Sequence, residues 1–147
     1  MKLRTKLIAG YASILMLTLF LGAFAVVMLA RVNQMSTDMA VNWMPSVYYS
    51  SDLNAATSDY RLLELQHVLS LSESEMREFE AQLRAKLEYI RAAQAKYEPL
   101  ISSQTEQDFY NQFKEAWNAY LQENEKVLAV SKLNNTEEAK AMLRGKS

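Results

Sequence analysis

Apolar side chains occur in two regimes along the chain. From Leu7 to Ala30 they are almost continuous, 24 residues without a charge. At 1.5 Å per residue this run makes a helix of about 36 Å, enough to cross a hydrocarbon core of about 30 Å. After Ala30 they become periodic at helical spacing. Val32, Met35, Met39, Leu53, Ala56, Tyr60 and Leu63 set a heptad-like rhythm, and Leu62, Leu65 and Leu69 add a second stripe. Met76, Phe79, Leu83, Leu87, Ile90 and Tyr97 follow on one side of a second helix. A third carries Phe109, Phe113, Ala116, Tyr120 and Val127, with Tyr110, Trp117, Leu121 and Leu128 beside them.

The rhythm lapses at three places, and each holds a helix-start signal. Ser72 with Glu75, Ser103 with Glu106, and Asn135 with Glu138 have capping-box spacing, in which each side chain bonds the other residue's free backbone N–H. Pro99 stops the second helix, and Pro45, inside the first, removes one backbone hydrogen bond and favours a kink. Helices are thus expected over about 31–71, 73–98, 104–132 and 136–147, the first continuing from the apolar run. Short loops make neighbours antiparallel. The fold class is all-α: an N-terminal transmembrane helix leading into an antiparallel up-down bundle of three full helices and the start of a fourth.

Composition agrees with this picture. Three glycines and two prolines in 147 residues leave few breakers. With no cysteine, disulfides and thiolate metal sites are excluded. Lys2, Arg4 and Lys6 precede the apolar run, which puts residues 1–6 in the cytoplasm, residues 7–30 in the membrane and residues 31–147 outside, in a bacterium the periplasm beyond the inner membrane. A cleaved signal peptide is the alternative, since Ala23-Phe24-Ala25 mimics a cleavage site; the length of the run favours an uncleaved anchor. Beyond those three cations the chain has 13 basic against 17 acidic side chains, which gives no basic footprint for nucleic acid.

Basic N-terminus, single membrane helix and exported bundle together resemble the sensory half of bacterial methyl-accepting chemotaxis proteins that carry a four-helix-bundle ligand-binding domain. The residues carrying the resemblance are MKLRTKLIAGYASILMLTLFLGAF at the start, the long first helix through Tyr60-Arg61, and Asn135-Thr136-Glu137-Glu138-Ala139 opening the fourth. It implies a homodimeric receptor for small solutes, often amino acids or carboxylic acids. They would bind between helices one and four, across the dimer interface, and signal by a small shift of helix four. The resemblance further implies a second membrane helix, a linker and a cytoplasmic signalling domain. Without them, 147 residues would be a truncated receptor unable to signal.

Candidate ligand residues follow from heights along the helices. Arg61 lies two to three turns below the top of helix one, and Arg144 about eight residues below the start of helix four. Two guanidiniums there would suit a carboxylate or amino acid. Thr57, Tyr60 and Lys140 could complete the pocket, and Thr136 matches the polar position that the resemblance implies near the start of helix four. The competing expectation pairs Arg61 with Glu64 or Asp59, and Arg144 with Glu137 or Glu138, on solvated faces. His67 is the only histidine; it falls on the Leu53–Tyr60 stripe and reads as an interface or core residue, not a metal ligand. Trp117, Tyr120, Phe109 and Phe113 read as core. No phosphate loop, nucleophile elbow or HExxH motif is present, so neither catalysis nor a cofactor is expected. The alternative function is a structural helical dimer of the inner membrane without a ligand.

Overall fold

A computed structural model describes residues 3–145. Its contacts divide the chain into two units, one ending at Met44 and the other beginning at Pro45.

In the first unit, helix α1 (Leu3–Asp38) buries no side chain within the protein and is long and apolar enough to cross a membrane. Within its apolar run the Ser13 and Thr18 hydroxyls donate to the carbonyls of Ala9 and Ile14, both at 2.9 Å. Val32, Met35 and Met39, expected to open the bundle stripe, are exposed. One wide π turn follows over Met39–Trp43, closed by the Met44 N–H donating to the Met39 carbonyl. It sits directly before Pro45, whose ring needs room at the carbonyl four residues back and brings no N–H of its own.

The second unit is a helical bundle. Its members are α2 (Met44–Leu69), α3 (Glu73–Tyr97), α4 (Gln104–Lys132) and α5 (Thr136–Gly145), with a 3₁₀ turn at Glu98–Leu100. Cross-links give the directions. Lys86 meets Asp59, Tyr89 meets Asp52 and Glu80 meets His67, so α3 runs against α2. Lys114 meets Glu98 and Lys132 meets Glu80, so α4 runs against α3 and along α2.

Two of the three start signals form caps. Ser72 and Ser103 accept from the N–H groups of Glu75 and Glu106 at 3.3 and 3.2 Å. The returning carboxylates reach one residue further than a simple capping box, to the N–H of Leu71 (3.1 Å) and of Ser102 (3.0 Å). At the third, the Asn135 amide donates to the Glu138 carboxylate, side chain to side chain. The preceding turn is made by Asn134 at φ 57°, a conformation asparagine tolerates better than most residues.

Burial repeats every seven residues on each long helix: Leu53, Tyr60 and His67; Met76, Leu83, Ile90 and Tyr97; Tyr110, Trp117, Asn124 and Ser131. This is the spacing of left-handed supercoiled packing. The second stripes fare differently. Leu62, Leu65 and Leu69 are largely exposed, and so is Phe109 at 66 %. Phe113 and Tyr120 are half-buried at the flank of the Tyr110–Trp117 row.

Towards the Pro99 end the core is apolar and aromatic, built on Leu53, Ala56, Ile90, Ala93, Tyr97, Tyr110 and Trp117. Towards the Ser70 end a small cluster of Val68, Val127 and Ala139 seats α5. The buried polar side chains among the described residues, Glu64, His67, Ser70, Asn124 and Ser131, lie at this end.

Candidate functional site

A cavity of about 590 Å³ opens beside these polar groups. Its walls come from α2 (Arg61, Glu64, Leu65), from one face of α4 that includes Ala119, Tyr120, Asn124 and Val127, and from α5 (Met142, Leu143). The volume lies within the range of small-molecule sites, and the lining has their mixed character, apolar with a few polar groups.

Two wall residues are almost completely buried: Glu64 and Asn124, each 2 % exposed. Each has half of its polar capacity used. The Tyr120 hydroxyl donates to Glu64 Oε2, and the Tyr60 hydroxyl donates to Asn124 Oδ1 at 2.9 Å. Glu64 Oε1 and Asn124 Nδ2 are shielded from solvent and have no hydrogen-bond partner. Uncompensated buried groups of this kind cost stability. Burial, with the Glu64 carboxylate beside it, pushes the Tyr60 hydroxyl up to about 12, and the same two causes push Tyr120 higher. Both phenols therefore stay protonated donors. The rings reinforce this wall: Trp117 stacks on Tyr120 at 5.2 Å and meets Tyr60 edge-on at 5.3 Å.

Towards the Ser70 end, His67 is fully buried. Its Nδ1 lies 3.0 Å from Ser131 Oγ, and its Nε2 lies 3.5 Å from Glu80 Oε1, too long for a well-formed hydrogen bond. Burial holds the imidazole below its ordinary 6.5; Glu80 and Glu64 pull it up, and Lys132 pushes it down. Burial alone would raise the Glu80 carboxyl, but Lys132 Nζ at 3.3 Å and the His67 ring hold it below its usual range.

The candidate ligand residues are dispersed. Arg61 is on the cavity wall, with its guanidinium 5.9 Å above the Tyr120 ring. It pairs with neither Glu64 nor Asp59, because Glu64 turns into the bundle and Asp59 pairs with Lys86 at 3.0 Å. Tyr60 is buried and reaches the cavity only through Asn124. Thr57 donates to the carbonyls of Leu53 and Asn54 on its own helix. Lys140 pairs with Glu137 at 2.9 Å. Arg144 is exposed and follows the wall residue Leu143 without lining the cavity itself, and Thr136 begins α5 outside the wall. Thus α5 offers the cavity Met142 and Leu143, and no cation.

Sequence reasoning missed Glu64 and Asn124. The signal for Asn124 is present: it stands seven residues after Trp117, so the buried row of α4 must carry it inward. Among the described residues no group of three or more His, Asp or Glu side chains is placed to hold a metal ion.

Comparison with curated proteins and with solved structures yields no match. One family does match, over residues 1–147; its description is a four helix bundle sensory module for signal transduction. The bundle, its apolar N-terminal helix and this match agree: the chain belongs to the family of four-helix-bundle sensory modules found in chemotaxis receptors, a signalling rather than an enzymatic family.

Proposed function

We propose that the chain is the membrane-anchored sensory module of a chemoreceptor, in which the bundle takes up a small organic solute in the cavity between α2, α4 and α5. On this reading α1 crosses the inner membrane with its N-terminus in the cytoplasm, the bundle stands in the periplasm, and two copies pair as a homodimer. The cavity carries the reading: a space of about 590 Å³ lined by two buried, half-satisfied polar side chains, which a purely structural bundle would gain by filling. Arg61 would meet an acceptor oxygen of the solute at the wall, so that acidic or amino acid solutes remain within its reach.

The test is thermal unfolding of the full chain in detergent micelles across a panel of organic acids, amino acids and amines. A solute present at a hundred times its Kd stabilises the folded state by about 2.7 kcal/mol, or about 10–20 °C in Tm for a domain of this size. Ala119→Trp, at an exposed cavity-lining position on α4, should abolish the shift while the chain still folds. Arg61→Ala should weaken the binding of an acidic or amino acid solute about tenfold, or roughly 1.4 kcal/mol.

The exposed apolar side chains Leu62, Leu69, Leu71 and Phe109 favour a second reading, a ligand-free dimerisation protein. No shift with any solute, alongside strong concentration-dependent self-association, would select it.

A further inference from the structure

We infer that the cavity selects a small organic amine, with its ammonium group held by Glu64 and its apolar body lying on Leu65, Val127, Met142 and Leu143. This rests on the cavity being the solute site and names the class of solute. Glu64 is 2 % exposed, and its Oε1 has no partner within the protein. The cations that might have served it are engaged elsewhere or out of reach. Arg61, three residues before it, forms no ion pair within 4 Å among the described residues and lies over the Tyr120 ring. Lys126 is bound to Glu123, and Lys132 to Glu80.

A carboxylate solute would leave Glu64 uncompensated and add a second negative charge beside it. An ammonium group supplies three N–H donors and the opposite charge in one compact head. The second unsatisfied atom, Asn124 Nδ2, is a donor and asks for an acceptor. A hydroxyl or carbonyl oxygen close to the amine would meet it. Because Oε1 is shielded from solvent, the head group enters by displacing a wall side chain, as a compact ammonium can and a bulky quaternary ion cannot. The apolar residues of α2, α4 and α5 then close on the body, where burial drives binding.

The experiment is calorimetric titration of the full chain in detergent micelles with 2-phenylethylamine and with 3-phenylpropanoate, probes of similar shape and opposite charge. The amine should bind at least tenfold more tightly than the acid. Glu64→Gln keeps an acceptor for the Tyr120 hydroxyl and removes the charge, and it should weaken amine binding at least tenfold. Arg77→Ala, which breaks only an exposed pair on α3, should leave the amine within threefold. Ala119→Trp should abolish binding, which separates the cavity from partitioning into detergent.

Preference for the acid, or amine binding unchanged in Glu64→Gln, would overturn the inference. If Glu64→Gln does not fold, the charge preference of the native chain decides alone. Should other solutes bind in a manner blocked by Ala119→Trp while neither probe does, the inference fails and the sensory reading stands. Should nothing bind, both fail. Dimerisation that Ala119→Trp abolishes and no probe displaces would put a second copy in the groove and also overturn it.

Discussion

On α4 the row that buries Tyr110 and Trp117 continues as Asn124 and Ser131; on α2 the row that buries Leu53 and Tyr60 continues as His67. The same heptad spacing thus builds two different interiors. Near Pro99 the spacing places aromatic and aliphatic side chains against one another, and the polar tips of Tyr97 and Tyr110 reach the Glu106 and Glu98 carboxylates near the surface at 2.9 and 3.0 Å. Near Ser70 it places an imidazole, an amide and a hydroxyl at the same spacing, with the Glu64 carboxylate buried beside them. Burying such groups yields less stability than burying apolar ones and demands correct pairing. The cavity lies where that pairing is incomplete. One end of the bundle thereby has a packed apolar core, and the other keeps buried polar atoms without partners.

Substitutions should separate the two ends. The largest effect is expected in the aromatic end: Trp117→Ala removes a buried ring packed on two tyrosines and should cost about 3–5 kcal/mol in urea unfolding. A loss below about 1 kcal/mol would remove the distinction, since that end would then not carry the stability. In the polar end, replacing both partners of the His67–Ser131 contact with apolar residues, as in His67→Leu with Ser131→Ala, should change stability little. His67→Ala alone should cost about 1–3 kcal/mol, because it leaves a cavity and an unpaired hydroxyl.

Acid should act on the polar end first. The folded-state pKa of His67 lies below its ordinary 6.5, so the unfolded chain takes up a proton before the folded chain does. The contribution of His67 is complete above about pH 6.5 and falls as the pH drops below it, by at most about 1.4 kcal/mol per pH unit. Glu80 acts in a separate window. Its folded pKa lies below 4.5, so its contribution holds above that value and is lost on further acidification. His67→Gln should flatten the upper slope in pH-dependent unfolding and leave the lower one. A smaller change, about 1 kcal/mol each, is expected from Ser72→Ala and Ser103→Ala, which remove one cap at each end of the bundle. Smallest is Arg77→Ala, which breaks an exposed pair with Glu73 and should not measurably shift the urea midpoint.

Much of the fold is legible in the sequence because its signals are local. Ser72, Ser103, Pro99 and the lapses in rhythm mark boundaries through backbone hydrogen bonds that depend only on near neighbours. Choosing between two adjacent stripes is harder. Phe109 and Leu62 look as apolar as Tyr110 and Leu63, and only the packing of three helices together decides which row turns inward. Pro45 announces a disturbance in the helix, yet the form it takes, a π turn one step before it, depends on how the chain makes room for the ring. At the site, Arg61 stands out as a charge beside an apolar stripe and does reach the cavity wall. Height along the helices matches Arg144 to it, but height does not fix the azimuth of a side chain around its helix. Leu143 takes that wall position and Arg144 points elsewhere. In sequence Glu64 reads as an ordinary surface acid; in the bundle it is buried and accepts from the Tyr120 hydroxyl of α4.

The contrast between the ends is tested most directly by amide hydrogen exchange on the full chain in micelles, with and without 2-phenylethylamine. Without ligand, amides in Leu62–Val68 and Asn124–Ser131 should exchange faster than those in Leu53–Tyr60 and Tyr110–Trp117, because incomplete polar pairing lowers the local cost of opening. Saturating amine should slow the first group at least tenfold and leave the second unchanged. Equal exchange at both ends, with no change on adding the amine, would contradict the account.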